Sequence, residues 1–349
     1  MTRTFYTSAF IALFLLGSCT RQGKVSRMGI ANDTIEDVVE NIVLNYARLL
    51  SIKESPDQVE ATIIDPWDST RILQRIVVEK KKKNAAVFIL PHCGLLDSLG
   101  CGEYYTNLSD IITPDPEQII DMDADVIFVS PFENSGGYGA IEKLGIDIIQ
   151  CADYMESTPL GRAEWMKFYG RLFGQGEKAD SLFDVIERNY NRLKDAVQEK
   201  TTRRPKVTCD LITGSTWYVP GGNSTFGHLI EDAGGTYIYR ERYQNGSLAL
   251  SPETVFEKSE EADIWLIRYS QETDMTYSQL GSESPHYSRL KAFKTRKVYG
   301  CNLSKVPFFE ETPFHPDLIL DDLIKVMKGE YGSKYFKRLE VGSINSPNK

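Results

Sequence analysis

The chain has 349 residues and a mass of 39.5 kDa, with 41% hydrophobic, 26% charged and 11% aromatic residues, a balance that supplies a folded core and excludes a disordered chain. Forty Lys and Arg stand against 49 Asp and Glu, so the net charge of −9 repels phosphate backbones and argues against nucleic-acid binding. Six cysteines with no C-x-x-C pair make neither a disulfide scaffold nor a thiolate zinc site.

At the N-terminus Arg3 precedes the apolar run 9–16 and the small residues Gly17 and Ser18. This reads as a secretory signal over residues 1–18, too short to span a hydrocarbon core of about 30 Å. Leu16-Gly17-Ser18-Cys19 resembles the lipobox of bacterial lipoproteins, which implies lipidation of Cys19 after cleavage and attachment of the protein to a membrane by acyl chains. Residues 19–33 are polar and read as the lipidated tether. Five cysteines remain (Cys93, Cys101, Cys151, Cys209, Cys301), expected as buried packing thiols.

The N-terminal lobe is assigned to 34–158. Its first part, to about residue 83, mixes apolar stretches with the turn signal Asp65-Pro66-Trp67-Asp68 and ends in a lysine run, 80–83, expected at a solvated strand end. Short buried strands follow at 85–90, 126–129 and 146–149, with helical stretches at 116–122 and 139–144. Alternation of this kind indicates βαβ units and parallel sheet. Residues 159–200 are assigned as connecting helices: Pro159 opens one, Gly174-Gln175-Gly176 interrupts it, and a second runs over 177–198 with Ala179, Leu182, Phe183, Ile186, Tyr190, Leu193 and Val197 in one apolar stripe. At the rise of an α-helix the second would extend about 33 Å. The C-terminal lobe, 201–349, resumes the alternation: strands at 207–212, 263–268 and 297–300, and helices near 224–233, 287–293 and 316–328.

The two halves share a local plan. Pro116-Glu117 leads to Ala124-Asp125 and a buried strand; Pro252-Glu253 leads to Ala262-Asp263 and another. Proline suits a first helical turn and an adjacent acidic group suits the helix dipole. The fold class is therefore α/β, two Rossmann-like lobes of mainly parallel sheet flanked by helices and joined by one long backbone helix.

Catalytic signatures are missing: the sequence has no G-x-S-x-G, no phosphate-loop pattern, no H-E-x-x-H and no dinucleotide fingerprint. The four histidines, His92, His228, His286 and His315, stand far apart and read as packing or surface residues. Glu310-Glu311 and Asp321-Asp322 are the adjacent carboxylate pairs considered for acid–base work, the second expected on a solvated helix edge. Aromatic residues gather after strands: Tyr138 after 126–129, Trp217 and Tyr218 after 207–212, Arg268 and Tyr269 after 263–267, Phe308 and Phe309 after 297–300. In open α/β sheets ligands bind beyond the carboxyl ends of strands, so these loops are expected to face one cleft and to suit a bulky planar or amphipathic ligand.

The lipoprotein signal, the two lobes and the long helix resemble the substrate-binding proteins of ATP-binding cassette importers for ferric siderophores, haem and cobalamin. The resemblance covers about 85–340 and is carried by 116–127, 141–146, Phe226-Gly227-His228-Leu229-Ile230-Glu231-Asp232-Ala233-Gly234-Gly235, 250–255, 297–299 and 316–323. It departs at Leu90-Pro91-His92-Cys93-Gly94, where the family places its first binding loop, and before Lys83.

The resemblance implies an extracytoplasmic, lipid-anchored receptor of the periplasm that performs no catalysis and carries no cofactor. It would hold a metal–organic complex between the lobes and deliver it to a permease dimer with its ATPase. Glu117 and Glu253 match the family's permease-docking glutamates. Tyr138, Trp217, Tyr218, Arg268, Tyr269, Phe308 and Phe309 are the candidate ligand contacts, Arg268 being placed to pair with a ligand carboxylate or anionic chelate, with an interlobe ion pair as its other role. A monomer of small lobe motion is expected. Two other readings stay open, a zinc or manganese receptor of the same architecture and a secreted hydrolase or chelatase.

Overall fold

The computed structural model describes residues 39–111, 115–133, 137–200 and 203–342, which fall in one compact unit. The expected signal, Cys19 and tether lie outside the described residues.

The chain enters through an antiparallel meander of β1 (Glu40–Ile42), β2 (Leu50–Glu54), β3 (Gln58–Ile64) and β4 (Ile72–Glu79). Alternation in β3 buries Val59, Ala61 and Ile63 against the connecting helices and leaves Gln58 outward. The lysine run is less solvated than expected. Lys80 pairs with Glu54 at 2.7 Å and Lys82 with Asp147 at 3.0 Å, and both are largely covered.

The first parallel sheet, in the order β6-β5-β7-β8, comprises β5 (Ala85–Val87), β6 (Tyr105–Asn107), β7 (Val126–Val129) and β8 (Asp147–Gln150). Helix α1 (Leu90–Ser98) follows β5 and α2 (Pro116–Asp121) precedes β7, while 139–144 is a 3-10 helix. Residues 90–94, a loop in the family pattern, are helical here because Pro91 sits in the first turn, where its missing N–H is no loss. Gln74 of β4 closes the open edge of β8: its amide donates to Ile148 O at 2.6 Å and its carbonyl accepts from Gln150 N at 3.0 Å, a side chain standing where a further strand would pair.

Three helices connect the lobes, α3 (Pro159–Glu164), α4 (Met166–Leu172) and α5 (Gly176–Lys200). Ala179, Phe183, Ile186, Tyr190 and Val197 of the expected stripe are buried and Leu182 and Leu193 partly so. Beyond it the second parallel sheet runs β12-β9-β14-β15, with an antiparallel β16 at the edge. Its strands are β9 (Lys206–Cys209), β12 (Thr236–Tyr237), β14 (Ile264–Tyr269), β15 (Val298–Asn302) and β16 (Lys337–Arg338). Between them lie a small antiparallel sheet of β10 (Ile212–Thr213), β11 (Thr216–Pro220) and β13 (Ser247–Leu250), and helices α6 (Thr225–Asp232), α7 (Pro252–Ser259), α8 (Tyr277–Glu283), α9 (Lys291–Lys294), α10 (Phe308–Glu311) and α11 (Pro316–Lys328). The stretch after 207–212 that carries Trp217 and Tyr218, expected as a loop, is thus mostly a hairpin, and the helix read at 287–293 is two short pieces. Asp322, expected on a solvated edge, is buried and accepts the amides of Tyr335 at 3.0 Å and Phe336 at 2.9 Å, which pins the C-terminal strap to α11.

Two buried glutamates hold the meander to the connector. Glu164 accepts the amides of Asn45, Tyr46 and Ala47 at 2.8–2.9 Å, and Glu156 those of Arg48 and Leu49 together with Trp165 Nε1 at 2.9 Å. Five successive backbone donors are satisfied in this way, and a buried donor left alone costs about 1–3 kcal/mol. Glu164→Ala is expected to lower unfolding stability by about 3 kcal/mol and Glu164→Gln by less, measured as the shift of the urea midpoint at constant slope.

Candidate ligand-binding site

A recess of about 80 Å³ opens between α3 and the C-terminal lobe, lined by Arg162, Phe226, Leu229, Arg268, Phe308, Phe309 and six further apolar or threonine side chains around Pro159, Thr312 and Pro316. Its position follows from the strands. Arg268 lies near the carboxyl end of β14, in register with Cys301 of β15, and Phe308 and Phe309 follow β15 after one loop.

Each arginine is held from behind by an aspartate. Asp210, just past β9, accepts Arg268 Nε at 2.8 Å and Nη2 at 2.6 Å, a two-point pair within the C-terminal lobe. The interlobe ion pair considered for Arg268 is therefore not the one it makes. Burial works against the guanidinium charge, but Asp210 outweighs it and raises the Arg268 pKa. Asp210 itself sits at φ 61°, a left-handed conformation that aspartate tolerates better than most residues, and its carbonyl accepts Trp265 Nε1 at 2.9 Å. The Arg268 guanidinium lies 5.0 Å over the Phe226 ring, a cation–π contact.

Arg162 of α3 donates Nε to Asp153 at 3.1 Å. Asp153 is buried and accepts Tyr169 OH at 3.1 Å as well. Its burial would raise its pKa, yet His92, Arg162 and Tyr169 together hold the carboxyl below the usual range. His92 Nε2 stands 3.1 Å from Asp153 Oδ1 without hydrogen-bond alignment, and Nδ1 has no partner. The imidazole is instead caged edge-on by Phe128, Tyr169 and Phe314, with centroids at 5.7, 4.6 and 5.4 Å. His92 is thus buried in an aromatic cage with Nε2 beside the Asp153 carboxylate, and not on the surface.

Of the candidate contacts read in the sequence, Arg268, Phe308 and Phe309 come together in the recess. Phe308 and Phe309 belong to a short helix, with ring centroids 5.3 Å apart. Trp217 does not reach the recess: it is fully buried in the C-terminal lobe, stacked near Trp265, Phe256 and Tyr287, with Nε1 donating to Cys209 O at 3.0 Å. Alternation along β11 turns Tyr218 to the opposite, exposed side. Tyr269 lines a separate hollow of about 190 Å³ with Asp274, Lys305, Lys337 and Arg338, and its hydroxyl accepts Met275 N. Tyr138 packs on the small core around Ile127 and Ile141. Arg162 and Phe226 were not singled out in the sequence. Phe226 opens the quoted 226–235 motif and Arg162 lies in the first connecting helix, but neither follows a strand, the feature that selected the others.

Glu117 and Glu253 are exposed at the second positions of α2 and α7, whose first turns are capped by Asp115 and Ser251. The five cysteines of the described residues are buried free thiols; burial pushes Cys93 and Cys301 up to about 12, which leaves them unreactive. Among the described residues no group of three or more His, Cys, Asp and Glu is arranged to hold a metal ion, and no helix is long and apolar enough to cross a membrane.

Comparison with known proteins places this geometry. Residues 95–303 match the family model described as "Periplasmic binding protein". An uncharacterized lipoprotein of Methanocaldococcus jannaschii is 30% identical over 190 residues, 53% of this chain and 44% of its own; a second from the same organism is 27% identical over 52% of this chain and 48% of its own. The chain thus spans about half the length of these curated relatives. Among solved structures, a Fe3+-hydroxamate transport system protein of Saccharomonospora viridis superposes with a TM-score of 0.58 at 16% identity, covering 77% of this chain and 98% of its own. A haem-binding protein of Pseudomonas aeruginosa gives 0.58 at 13%, covering 73% and 97%, and a molybdate-binding protein of Haemophilus influenzae 0.58 at 13%, covering 77% and 91%. At these identities the likeness is one of fold. With the family model matched over more than half of the chain, the chain belongs to the periplasmic binding proteins.

Proposed function

We propose that this chain is the lipid-anchored substrate receptor of an importer for an anionic metal chelate, of the ferric siderophore kind, and that Arg162, Arg268, Phe226, Phe308 and Phe309 contact it. The observation that carries the reading is the pairing of two aspartate-backed guanidiniums with an aromatic wall in one recess. Guanidiniums recognise carboxylate or catecholate oxygens in two-point fashion, and the phenyl faces suit the organic shell of a chelate. Among the described residues no His, Cys, Met, Tyr, Asp or Glu lines the recess, so the metal would arrive with its donors complete. This favours a chelate over haem, whose iron takes a protein ligand, and over a bare zinc or manganese ion, which needs several. Cobalamin, which also carries its own metal donors, has one phosphodiester anion offset within the molecule and so no net negative charge for two arginines to reward.

Exposed Glu117 and Glu253, in the first turns of α2 and α7, are the proposed permease contacts, where charge would steer an encounter that must also dissociate. The body is proposed to act as a monomer in the periplasm, tethered through Cys19. Cys19→Ser is then expected to move the protein from the membrane fraction to the soluble fraction, read by fractionation and immunoblot.

The ligand reading is tested by titrating the protein that begins after Cys19 with a ferric tricatecholate, ferrichrome, haemin, cyanocobalamin and molybdate. Tryptophan fluorescence is a suitable signal, since Trp265 donates to the same Asp210 that holds Arg268. Saturable binding of the ferric tricatecholate is expected, weakened about tenfold or more by Arg162→Ala and by Arg268→Ala. Binding of haemin or cyanocobalamin alone, or zinc or manganese alone raising the melting temperature, would overturn it.

A further inference from the structure

Helix α1, formed by the stretch that departs from the family pattern, reaches across to the C-terminal lobe and touches the segment that walls the recess. Gly94 of α1 lies directly on the backbone of Glu310 in α10: a methyl built on Gly94 would overlap the Glu310 carbonyl oxygen and stand 2.7 Å from its carbon and 3.0 Å from its Cα. Backbone cannot rotate aside as a side chain can, so any larger residue must push α10 away. Four residues further on, Phe314 inserts its ring against His92 of α1 and Tyr169 of α4, at centroid distances of 5.4 and 6.0 Å. The segment 308–314 therefore rests on the opposite lobe at two points, one of them available only to glycine.

The same segment carries Phe308, Phe309, Thr312 and Pro313 of the recess. From its other side it is gripped by the C-terminal strap, where Tyr335 OH donates to Glu311 at 2.5 Å, Lys334 pairs with the same carboxylate, and the Tyr335 and Phe336 rings pack on Phe308. The aromatic wall is thus held between the strap and α1.

We infer that Gly94, which lies outside the recess, is a specificity-determining residue: by seating α10 against the N-terminal lobe it fixes the depth of the ligand recess and so the size of ligand accepted. The inference rests on the ligand reading above, but its mechanical half is measurable without ligand. Hydrogen exchange of the amides of Glu311, Thr312 and His315, bonded to Pro307, Phe308 and Glu311 carbonyls, reports the seating of α10, with β14 as internal control.

In Gly94→Ala these three amides are expected to exchange about tenfold faster while β14 is unchanged. The ratio of molybdate affinity to ferric tricatecholate affinity is expected to fall about tenfold, as the wall withdraws and the smaller anion loses contact. Phe314→Leu, which leaves α1 intact and removes the second contact, should move both readouts the same way and carries the test alone if Gly94→Ala fails to fold. Unchanged exchange in the variants would show that α10 does not rest on α1. Faster exchange with an unchanged affinity ratio would show that the seat does not set the recess. Should the unsubstituted protein bind neither probe, the ligand reading fails, and the specificity role of Gly94 with it, even where the exchange data establish the contact.

Discussion

A carboxylate withdrawn from water must be met by donors, and the twelve-residue stretch from Asp153 to Glu164 buries three of them, Asp153, Glu156 and Glu164, each no more than 1% exposed. The surroundings of this stretch are built to that requirement. Glu164 and Glu156 draw in the amides of 45–49 and so bring the meander against the connector. Asp153 draws in Arg162 and Tyr169 and so aims one of the two recess arginines. The N-terminal sheet, the connecting helices and the candidate site are therefore referred to one short segment, and none of the three shifts without breaking charged hydrogen bonds in a dry place.

That requirement also bears on how the lobes move. A helical connector resists hinge bending more than extended strands do, and here the meander braces it further: Arg171 of α4 is shared between Glu54 of β2 and Asp180 of α5, and Tyr46 donates to Glu187 of α5 at 2.6 Å. These contacts oppose rigid-body rotation, and α10, four residues long between Pro307 and Pro313, is the shortest helix that carries recess side chains.

Much of the architecture was legible in the sequence because its signals are local. The apolar stripe of α5, the Pro-Glu helix starts of α2 and α7 and the buried runs of β7 and β14 are each written within a few residues, and the elements lie where these patterns put them. The site was legible only in part, for a physical reason. Position after a strand locates the end of a sheet but not the direction of a side chain, and the 212–220 hairpin turns Trp217 inward with its N–H on Cys209 while Tyr218 points out. Arg162 escaped notice because its role depends on Asp153, nine residues earlier and buried by contacts from other elements. The meander was unreadable as a unit because it is held to the connector by Glu156 and Glu164, more than a hundred residues away.

The way the two arginines are held has a consequence for the proposed receptor, which would have to release its cargo. An arginine free in a recess would meet an anion with its full charge and all its donors, and would bind tightly. Arg268 already gives two donors to Asp210 and Arg162 one to Asp153, so each offers a ligand only its remaining N–H groups and a charge largely offset at close range. What is lost in strength is gained in order, since a guanidinium fixed by a buried partner gives up little freedom on binding. Pre-paired arginines thus favour selection for geometry over raw attraction, and a weaker, well-aimed grip suits the delivery to a second protein proposed above. Placing a phenyl ring against Arg268, as Phe226 does at 5.0 Å, extends the same economy: the guanidinium face is occupied by an aromatic ring, and only its edge remains to read the ligand.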